Sequence, residues 1–599
     1  MFSRHSLNSS FPKKIIPQLY QKTKTVIINS GHSGAIRVLE SLNMQNKKTI
    51  YWLLLAVVIA SAFLLRAYNI ENIPAGVYPD EAVNGTDALL ANETGNYRWF
   101  YTNNFGREGL FINLIAAAFK VFGVSVFALK FWPIIFGTLA VLGVFLLSTE
   151  LFRDRPAFAK AAADKRAALI AAYLTAFSFW AINFSRIAFR AIMMLPILVF
   201  SFYFIFRGLR TEKYRDFIFS GLIFGLGFHT YIAFRIAPLI LIILLLAILI
   251  SQRNVFRRFW KKIIVFAICV FISASPLLFD FYQHPEYLQS RTGAISVFSP
   301  EVNQGHLIKT LSQSVGLSLV KFNFWGDQNW RHNYPPYPVL NPLVGVSFLI
   351  GLIYLTAKFF HLLFLRFKKK TRDRKFVICS FLLSWFFAML VPEFLTAEGL
   401  PHCLRSIGTL PVVYIISAIP FAWALEKITN LSGCARSGEA RQPTTRNLQP
   451  VKTALLIIFA AVFAFIGIFN TAKYFVFWAE KPQQHGAFSE NFKNIALYLN
   501  SLPDEVNKYV VANGGGRIME DGLPVSAQPV KLLTYRGVQN LKFLQRGQDL
   551  LLKTPMVIVL MNYDQYIIDR VRLFYPQAQV EKIDLNPGYG SDFVLIVVE

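Results

Sequence analysis

Long apolar runs recur along most of this chain, and they constrain its fold more than any other feature. Residues 50–65, 217–227, 236–250 and 454–469 are examples. With their flanks they approach the ~20 residues needed to cross a bilayer. The composition agrees: 54% of the 599 residues are hydrophobic, 58 of them Phe, and only 16% are charged. Soluble domains carry roughly 25% charged residues. A polytopic membrane protein is therefore expected.

The net charge of +27 raises nucleic acid as a partner, but its placement argues for the lipid bilayer instead. Basic residues crowd into alternate short loops at 153–166, 207–215, 253–262 and 366–375. That is the positive-inside pattern, which makes these loops cytoplasmic. The basic segment 1–49 (Lys13, Lys14, Lys22, Lys24, Lys47, Lys48) joins them, and the first apolar run reads as a signal anchor. Cys269, Cys379, Cys403 and Cys434 lack the spacing of a zinc site or a disulfide framework.

Charge parity then counts the spans. Segments near 50–67, 126–151, 167–184, 191–208, 217–232, 236–251, 262–279, 341–365, 376–392, 405–425 and 453–472 give about eleven transmembrane helices. Residues 109–124 are apolar too, but as a span they would put the basic loop 153–166 on the wrong side. They are expected to form a helix at the outer surface. A transmembrane domain thus covers 50–472, with outer loops at 68–125 and 280–340 and outer turns near 185–190, 233–235 and 393–404. Residues 426–452 read as a cytoplasmic linker.

The tail, 473–599, changes character. Strand-like runs at 509–512, 530–535, 556–561 and 593–598 alternate with amphipathic helices at 487–502 and 563–574, the pattern of a small soluble α/β domain on the outer side. Gly514-Gly515-Gly516 follows a strand without the rest of a dinucleotide fingerprint.

Polar residues of the outer loops mark the candidate site. Asp80-Glu81, in Gly76-Val77-Tyr78-Pro79-Asp80-Glu81-Ala82, suits a general base acting on a substrate whose other half lies in the bilayer. The same acids also suit the start of a surface helix. Arginine dominates the outer cations: Arg98, Arg107, Arg186, Arg190, Arg235, Arg291, Arg331 and Arg405. Its planar fork binds phosphate in a bidentate way, and several of these residues sit at span ends, the depth of a lipid head group. Snorkelling is the plain alternative for each. Asp327, Arg331, His332 and Asn333, within Gly326-Asp327 to Tyr334-Pro335, offer the donors and acceptors a sugar needs, while Glu398, His402 and Arg405 in the third outer segment suit the lining of a cleft, with a solvated loop residue the plain alternative for His402. A turn capped by Asp327 and Asn333 explains the first of these groups equally well. The carboxylates with His332 and His402 permit a divalent metal without requiring one.

In order and spacing these clusters resemble the lipid-carrier-dependent glycosyltransferases of the GT-C superfamily, nearest to the protein O-mannosyltransferases and the lipid A aminoarabinose transferases. The residues that carry the resemblance are Asp80-Glu81, Gly106-Arg107-Glu108-Gly109-Leu110, Phe184-Ser185-Arg186, Tyr231 with Arg235 and Pro238, the segment 392–411, and the run from Gly326-Asp327 to Tyr334-Pro335. It covers about 50–472. The resemblance implies a GT-C-like helical fold and inverting transfer of a sugar from a polyprenyl-phosphate donor to an acceptor hydroxyl of a protein, lipid or glycan. By it, Asp80 is the base and Glu81 its support. Arg186, Arg190, Arg235, Arg405 and Tyr231 hold the donor phosphate, with Arg107, Glu108, Arg291 and Arg331 beside the substrate. The sequence departs from the family at Gly109-Leu110, where many members carry Pro-Pro or a Lys.

A transporter or flippase of lipid-linked sugars is the alternative. Transporters place ionisable groups near the membrane midplane, often in internal repeats. Here the acids cluster at one face and no repeat is evident, which favours an enzyme.

Overall fold

The computed structural model describes residues 32–153, 162–251, 254–288, 295–369, 373–431, 448–535, 537–548 and 552–599. Arg291 and most of the linker expected at 426–452 lie outside them. The chain divides into two units, Met1–Ala60 and Ser61–Glu599. The described part of the first belongs to the helix His32–Ala67.

Nine helices among the described residues are long and apolar enough to cross a membrane: Thr49–Ala67, Val126–Leu151, Arg190–Thr211, Ile232–Ser251, Phe256–Gln283, Pro342–Lys368, Arg374–Phe394, Ile407–Asn430 and Gln449–Trp478. In lipid a helix meets its own backbone hydrogen bonds, which is why such runs fold this way. The other two expected spans are assembled from shorter pieces. At 167–184, Ser178 accepts from the backbone N–H of Ala181 at 3.1 Å and starts a new helix, so Ala162–Ala176 is followed by Phe179–Phe184. At 217–232 the helix Tyr214–Leu226 tightens into a 3₁₀ turn at Gly227–His229. The chain is a multi-pass membrane protein.

Within Ser61–Glu599 the helices differ in depth. Arg374–Phe394 and Ile407–Asn430 are 78% and 72% buried in their apolar windows, whereas Phe256–Gln283 and Gln449–Trp478 are 17% and 11% buried. The first two belong to a core of Trp180, Phe202, Phe381 and Trp385. There the Trp385 indole donates to the Gly408 carbonyl at 2.8 Å, so the one polar atom of that ring is met.

The segment 109–124 forms the helix Leu110–Phe122. Its 13 residues rise only ~20 Å, too short for a ~30 Å hydrocarbon core. It packs on the helix Pro79–Thr94 through Phe111, Ile112, Ile115 and Phe119 against Ala82, Ala88 and Leu89. Between these helices runs a two-stranded hairpin, β1 (Phe100–Tyr101) and β2 (Arg107–Glu108), with Phe100 opposite Glu108. Asn104, Phe105 and Gly106 take positive φ at its tip.

The tail holds a five-stranded sheet. β3 (Asn507–Val511), β4 (Leu541–Leu544), β5 (Met556–Leu560), β6 (Gln579–Ile583) and β7 (Phe593–Val598) stand in the order β4-β3-β5-β7-β6. β3 pairs in parallel with β4 and β5, while β7 is antiparallel to β5 and β6. Alternation sorts the faces. Val510, Val557 and Val559 meet Phe492, Ile495 and Leu499 of the helix Glu490–Ser501. Tyr509, Val511, Ile558 and Leu560 meet Ile567, Ile568 and Val571 of the helix Gln565–Phe574. One expected strand is a helix instead: Gln528–Leu533 carries Pro529 in its first turn, where proline is pre-organised for a helix. Its Leu532 joins Ala82 and Leu129. The sheet domain thus sits on the first loop. Lys493 donates to the carbonyls of Glu71 and Ala75. A Cβ on Gly76 would overlap the Phe488 carbonyl, so the loop needs glycine there.

Candidate functional site

The first loop is shaped around Asp80. Tyr78 caps the helix Pro79–Thr94 with Pro79 in its first turn, which puts Asp80 and Glu81 at the helix's positive end. Neighbouring positions on a helix diverge, and the two acids do so here. Asp80 lines a cavity of about 510 Å³; among the described residues its one hydrogen bond comes from the Asn104 side chain at 2.8 Å. Glu81 is fully buried and faces away. One of its oxygens accepts from the Tyr78 backbone N–H at 3.3 Å and the other from Ala188 N–H at 2.7 Å. Burial pushes its carboxyl up from the usual value. Glu81 therefore ties the helix bearing Asp80 to the turn that carries Arg190.

β2 divides its two charges in the same way, as a strand must. Arg107 turns to the Pro79 helix, donating to Asn84 at 2.7 Å and pairing with Asp87. Glu108, also buried, accepts from Arg190 Nε at 2.7 Å and lies 3.9 Å from Arg235 Nη2. Gly109 follows because a Cβ there would overlap the Arg98 carbonyl.

The arginines separate into two groups. Arg107, Arg190, Arg235 and Arg405 line the cavity with Asp80, Tyr231 and His402. Arg190 stands over the Tyr231 ring and Arg235 over Phe281. Arg405 donates to Thr396 at 3.1 Å and pairs with the exposed Glu398 at 3.2 Å. Arg186 does not reach the cavity wall. Its two terminal nitrogens donate to the carbonyls of Leu65, Arg66, Asn69 and Ile73, so it anchors the end of the first span. Arg331 is likewise outside the wall, 3.9 Å from the centre of the Tyr78 ring.

Apolar side chains share the lining, among them Phe100, Ile236, Tyr287, Leu288, Phe298 and Leu395. Leu395 and Leu404 fall in the segment 392–411 and Ile232 and Ile236 flank Tyr231 and Arg235, whereas Phe100, Tyr287, Leu288, Ile295 and Phe298 carry neither charge nor motif in the sequence.

Asp327, His332 and His402 offer ligand atoms within 4.8 Å of one another. Their bonding fits a hydrogen-bonded relay better than a divalent cation. His332 Nδ1 donates to Asp327 Oδ2 at 3.0 Å, and that oxygen also accepts from Cys403 N–H at 2.6 Å. Asp327 Oδ1 accepts from Asn329 N–H at 2.8 Å. The Asn333 amide donates to the carbonyls of Asp327 and Tyr337, so the turn expected from Asp327 and Asn333 is present. The His332 and His402 rings stand 4.7 Å apart, and of Asp327, His332 and His402 it is His402 that lines the cavity. Burial first, then His332 and the cations Arg405, Lys321 and Arg331, hold the His402 imidazole well below 6.5. It meets the cavity as a neutral donor and acceptor.

Comparison with known proteins bears on the fold. Residues 110–279 match the model of the family described as dolichyl-phosphate-mannose-protein mannosyltransferase. The structure is similar to that of ArnT from Cupriavidus metallidurans in the apo state, with a TM-score of 0.50 and 10% identity over 92% of this chain and 98% of that one. The same ArnT bound to undecaprenyl phosphate gives 0.48 and 12%, over 91% and 97%. The Archaeoglobus fulgidus oligosaccharyltransferase gives 0.44 and 15%, over 81% and 62%. No curated protein matches the sequence. The chain thus has the fold of ArnT and, over 110–279, the sequence pattern of the mannosyltransferases, the GT-C group that its outer-loop motifs resemble.

Proposed function

We propose that this chain is a glycosyltransferase that moves a sugar from a polyprenyl-phosphate donor to an acceptor hydroxyl on the extracytoplasmic side of a cell membrane. The observation that carries the reading is one cavity lined by Asp80, Arg190 and Arg235 together with apolar side chains such as Tyr287, Leu288 and Phe298. A lipid-linked phosphosugar matches both kinds of group. Asp80 takes the proton of the acceptor hydroxyl as its oxygen bonds to the anomeric carbon. The bond from that carbon to the phosphate oxygen breaks on the opposite side, inverting the centre, and the electron pair leaves with polyprenyl phosphate.

Arg190 and Arg235 meet that developing charge, which is electrostatic stabilisation of the transition state. Glu108 holds both guanidinium groups in place. Arg405 and Tyr231 complete the phosphate side, and neutral His402 suits a sugar hydroxyl. The basic alternate loops, which the positive-inside rule places in the cytoplasm, support the assignment of the cavity to the outer face.

The test is Asp80→Asn in membranes supplied with polyprenyl-phosphate sugar. Release of polyprenyl phosphate should fall by about 10²–10⁴-fold, the range for loss of a general base, while thermal stability stays near that of the parent. Turnover close to the parent's would remove Asp80 as the base.

A further inference from the structure

The hairpin of β1 and β2 closes on a backbone that few side chains adopt. At its tip Asn104, Phe105 and Gly106 take φ of +49°, +67° and +82°. Asparagine tolerates the left-handed region, but for a residue as bulky as Phe105 it is an outlier. Such a conformation persists only where the surroundings over-determine it.

Those surroundings come from the tail. The Arg517 guanidinium lies 5.2 Å from the centre of the Phe105 ring. Glu520 N–H donates to the Asn103 side-chain oxygen at 3.1 Å, and the Glu520 carboxylate accepts from the Thr102 hydroxyl at 2.6 Å. Asn103 in turn donates to Asp87 of the Pro79 helix at 2.8 Å. The loop that carries Arg517 and Glu520 is closed on itself. Val525 N–H donates to the Arg517 carbonyl at 3.0 Å, and Met519 N–H to the Leu523 carbonyl at 2.8 Å. Met519 also packs on Val83, three residues beyond Asp80.

The tip delivers one amide to the site. Asn104 donates to Asp80 Oδ1 at 2.8 Å, and both residues line the cavity with Phe105. A donor on one oxygen fixes the rotation of a carboxylate, and here it leaves Oδ2 as the oxygen open to a substrate proton. Placement of this kind matters, since a 1 Å error can cost about 10²-fold in rate. Among the described residues, none of 473–599 lines the cavity.

We propose that Asn104 is a positioning residue for Asp80, and that the sheet-domain loop 517–521 holds Asn104 in place by seating the hairpin tip. The tail domain thus serves the transfer from outside the cavity. The role of Asn104 rests on Asp80 being the base; the grip of 517–521 on the hairpin does not.

The test uses full-length protein in membranes, with the same polyprenyl-phosphate sugar as for Asp80→Asn. Asn104→Gly keeps the left-handed backbone and removes the amide. Asn104→Asp keeps the shape, removes the donor and sets a like charge against Asp80. Asn104→Gly should lower kcat by roughly 10²-fold with the donor KM of the parent. Asn104→Asp should also move the acid limb of the pH–rate profile up by about 1 pH unit, because a neighbouring carboxylate disfavours the ionised base. Arg517→Ala combined with Glu520→Ala, both exposed in the parent, should raise deuterium uptake at 99–108 and lower kcat. Parent-like kcat and pH profile in both Asn104 variants would overturn the positioning role, and parent-like uptake in the double variant would overturn the grip. Parent-like turnover by Asp80→Asn would instead remove the base, and the positioning role with it. The uptake measurement needs no turnover, so it separates that failure from a failure of the grip.

Discussion

At the scale of single residues, cations that line the cavity differ from cations that hold the chain. Sequence alone gave Arg186 and Arg235 the same standing, since both are arginines at span ends. What distinguishes them is the backbone around them. Arg186 meets four carbonyls at the end of the first span, whereas Arg235 has a 3.9 Å ion pair and an aromatic face at the cavity wall. Arg186→Ala should therefore lower stability by roughly 3 kcal/mol, since one orphaned buried polar group costs roughly 1–3 kcal/mol. Arg235→Ala should leave the melting temperature near the parent's and slow donor turnover by about 10²-fold, the scale for losing one charge-stabilising donor. Melting curves and donor-release rates for the two variants check this.

His402 gives a second prediction at this scale. Its folded pKa lies below 6.5, so between those two values the unfolded chain binds more protons than the folded one. Stability is then fully present above pH 6.5 and is lost as pH falls through the window toward the folded pKa, by up to about 1.4 kcal/mol per pH unit for one proton. His402→Asn should flatten that slope in melting temperature against pH. An unchanged slope would contradict the burial of a neutral imidazole there.

At the scale of elements, the apolar runs were legible because a bilayer imposes a minimum length, and charge parity fixed their alternation. The surface helix Leu110–Phe122 followed from the same parity argument. Strands with an unbroken β-branched core, β3, β5 and β7, were legible too. The segment Gln528–Leu533 was not, since its apolar residues suit either element and contact with the Pro79 helix decides the matter. The helix Leu307–Val320 was also missed: its moderate hydropathy marks neither a span nor a clean amphipathic face. Lys321, just past that helix, pairs with Glu393 in a fully buried ion pair and donates to Ser406 at 2.5 Å. Glu393 also accepts from His402 N–H at 2.8 Å, so the pair joins the second loop to the segment bearing His402 and Arg405. Lys321→Met should cost roughly 3–5 kcal/mol by stranding Glu393, and the double change with Glu393→Met should recover much of it. Equal melting temperatures for the single and double variants would show that the pair is not a unit.

At the scale of the molecule, sequence could order the candidate residues along the chain but could not close the loops on one another. Asp80, Glu108, Arg190, Arg235 and Arg405 come from four separate segments; Glu81 and Glu108 tie three of these together, and Lys321 fastens the one with Arg405 to the second loop. The sheet domain adds a further brace, since Glu520 accepts from Thr102 and donates its N–H to Asn103 beside the hairpin tip. The central claim is that this wall seats a lipid phosphate between Arg190 and Arg235. The most direct measurement is a cryo-electron microscopy map of the full chain in nanodiscs with polyprenyl phosphate. The account predicts phosphate density within hydrogen-bond reach of both guanidinium groups, about 2.7–2.9 Å, with the tail along Tyr287, Leu288 and Phe298. Phosphate density outside this cavity, with Arg190 and Arg235 still paired to Glu108 alone, would contradict it.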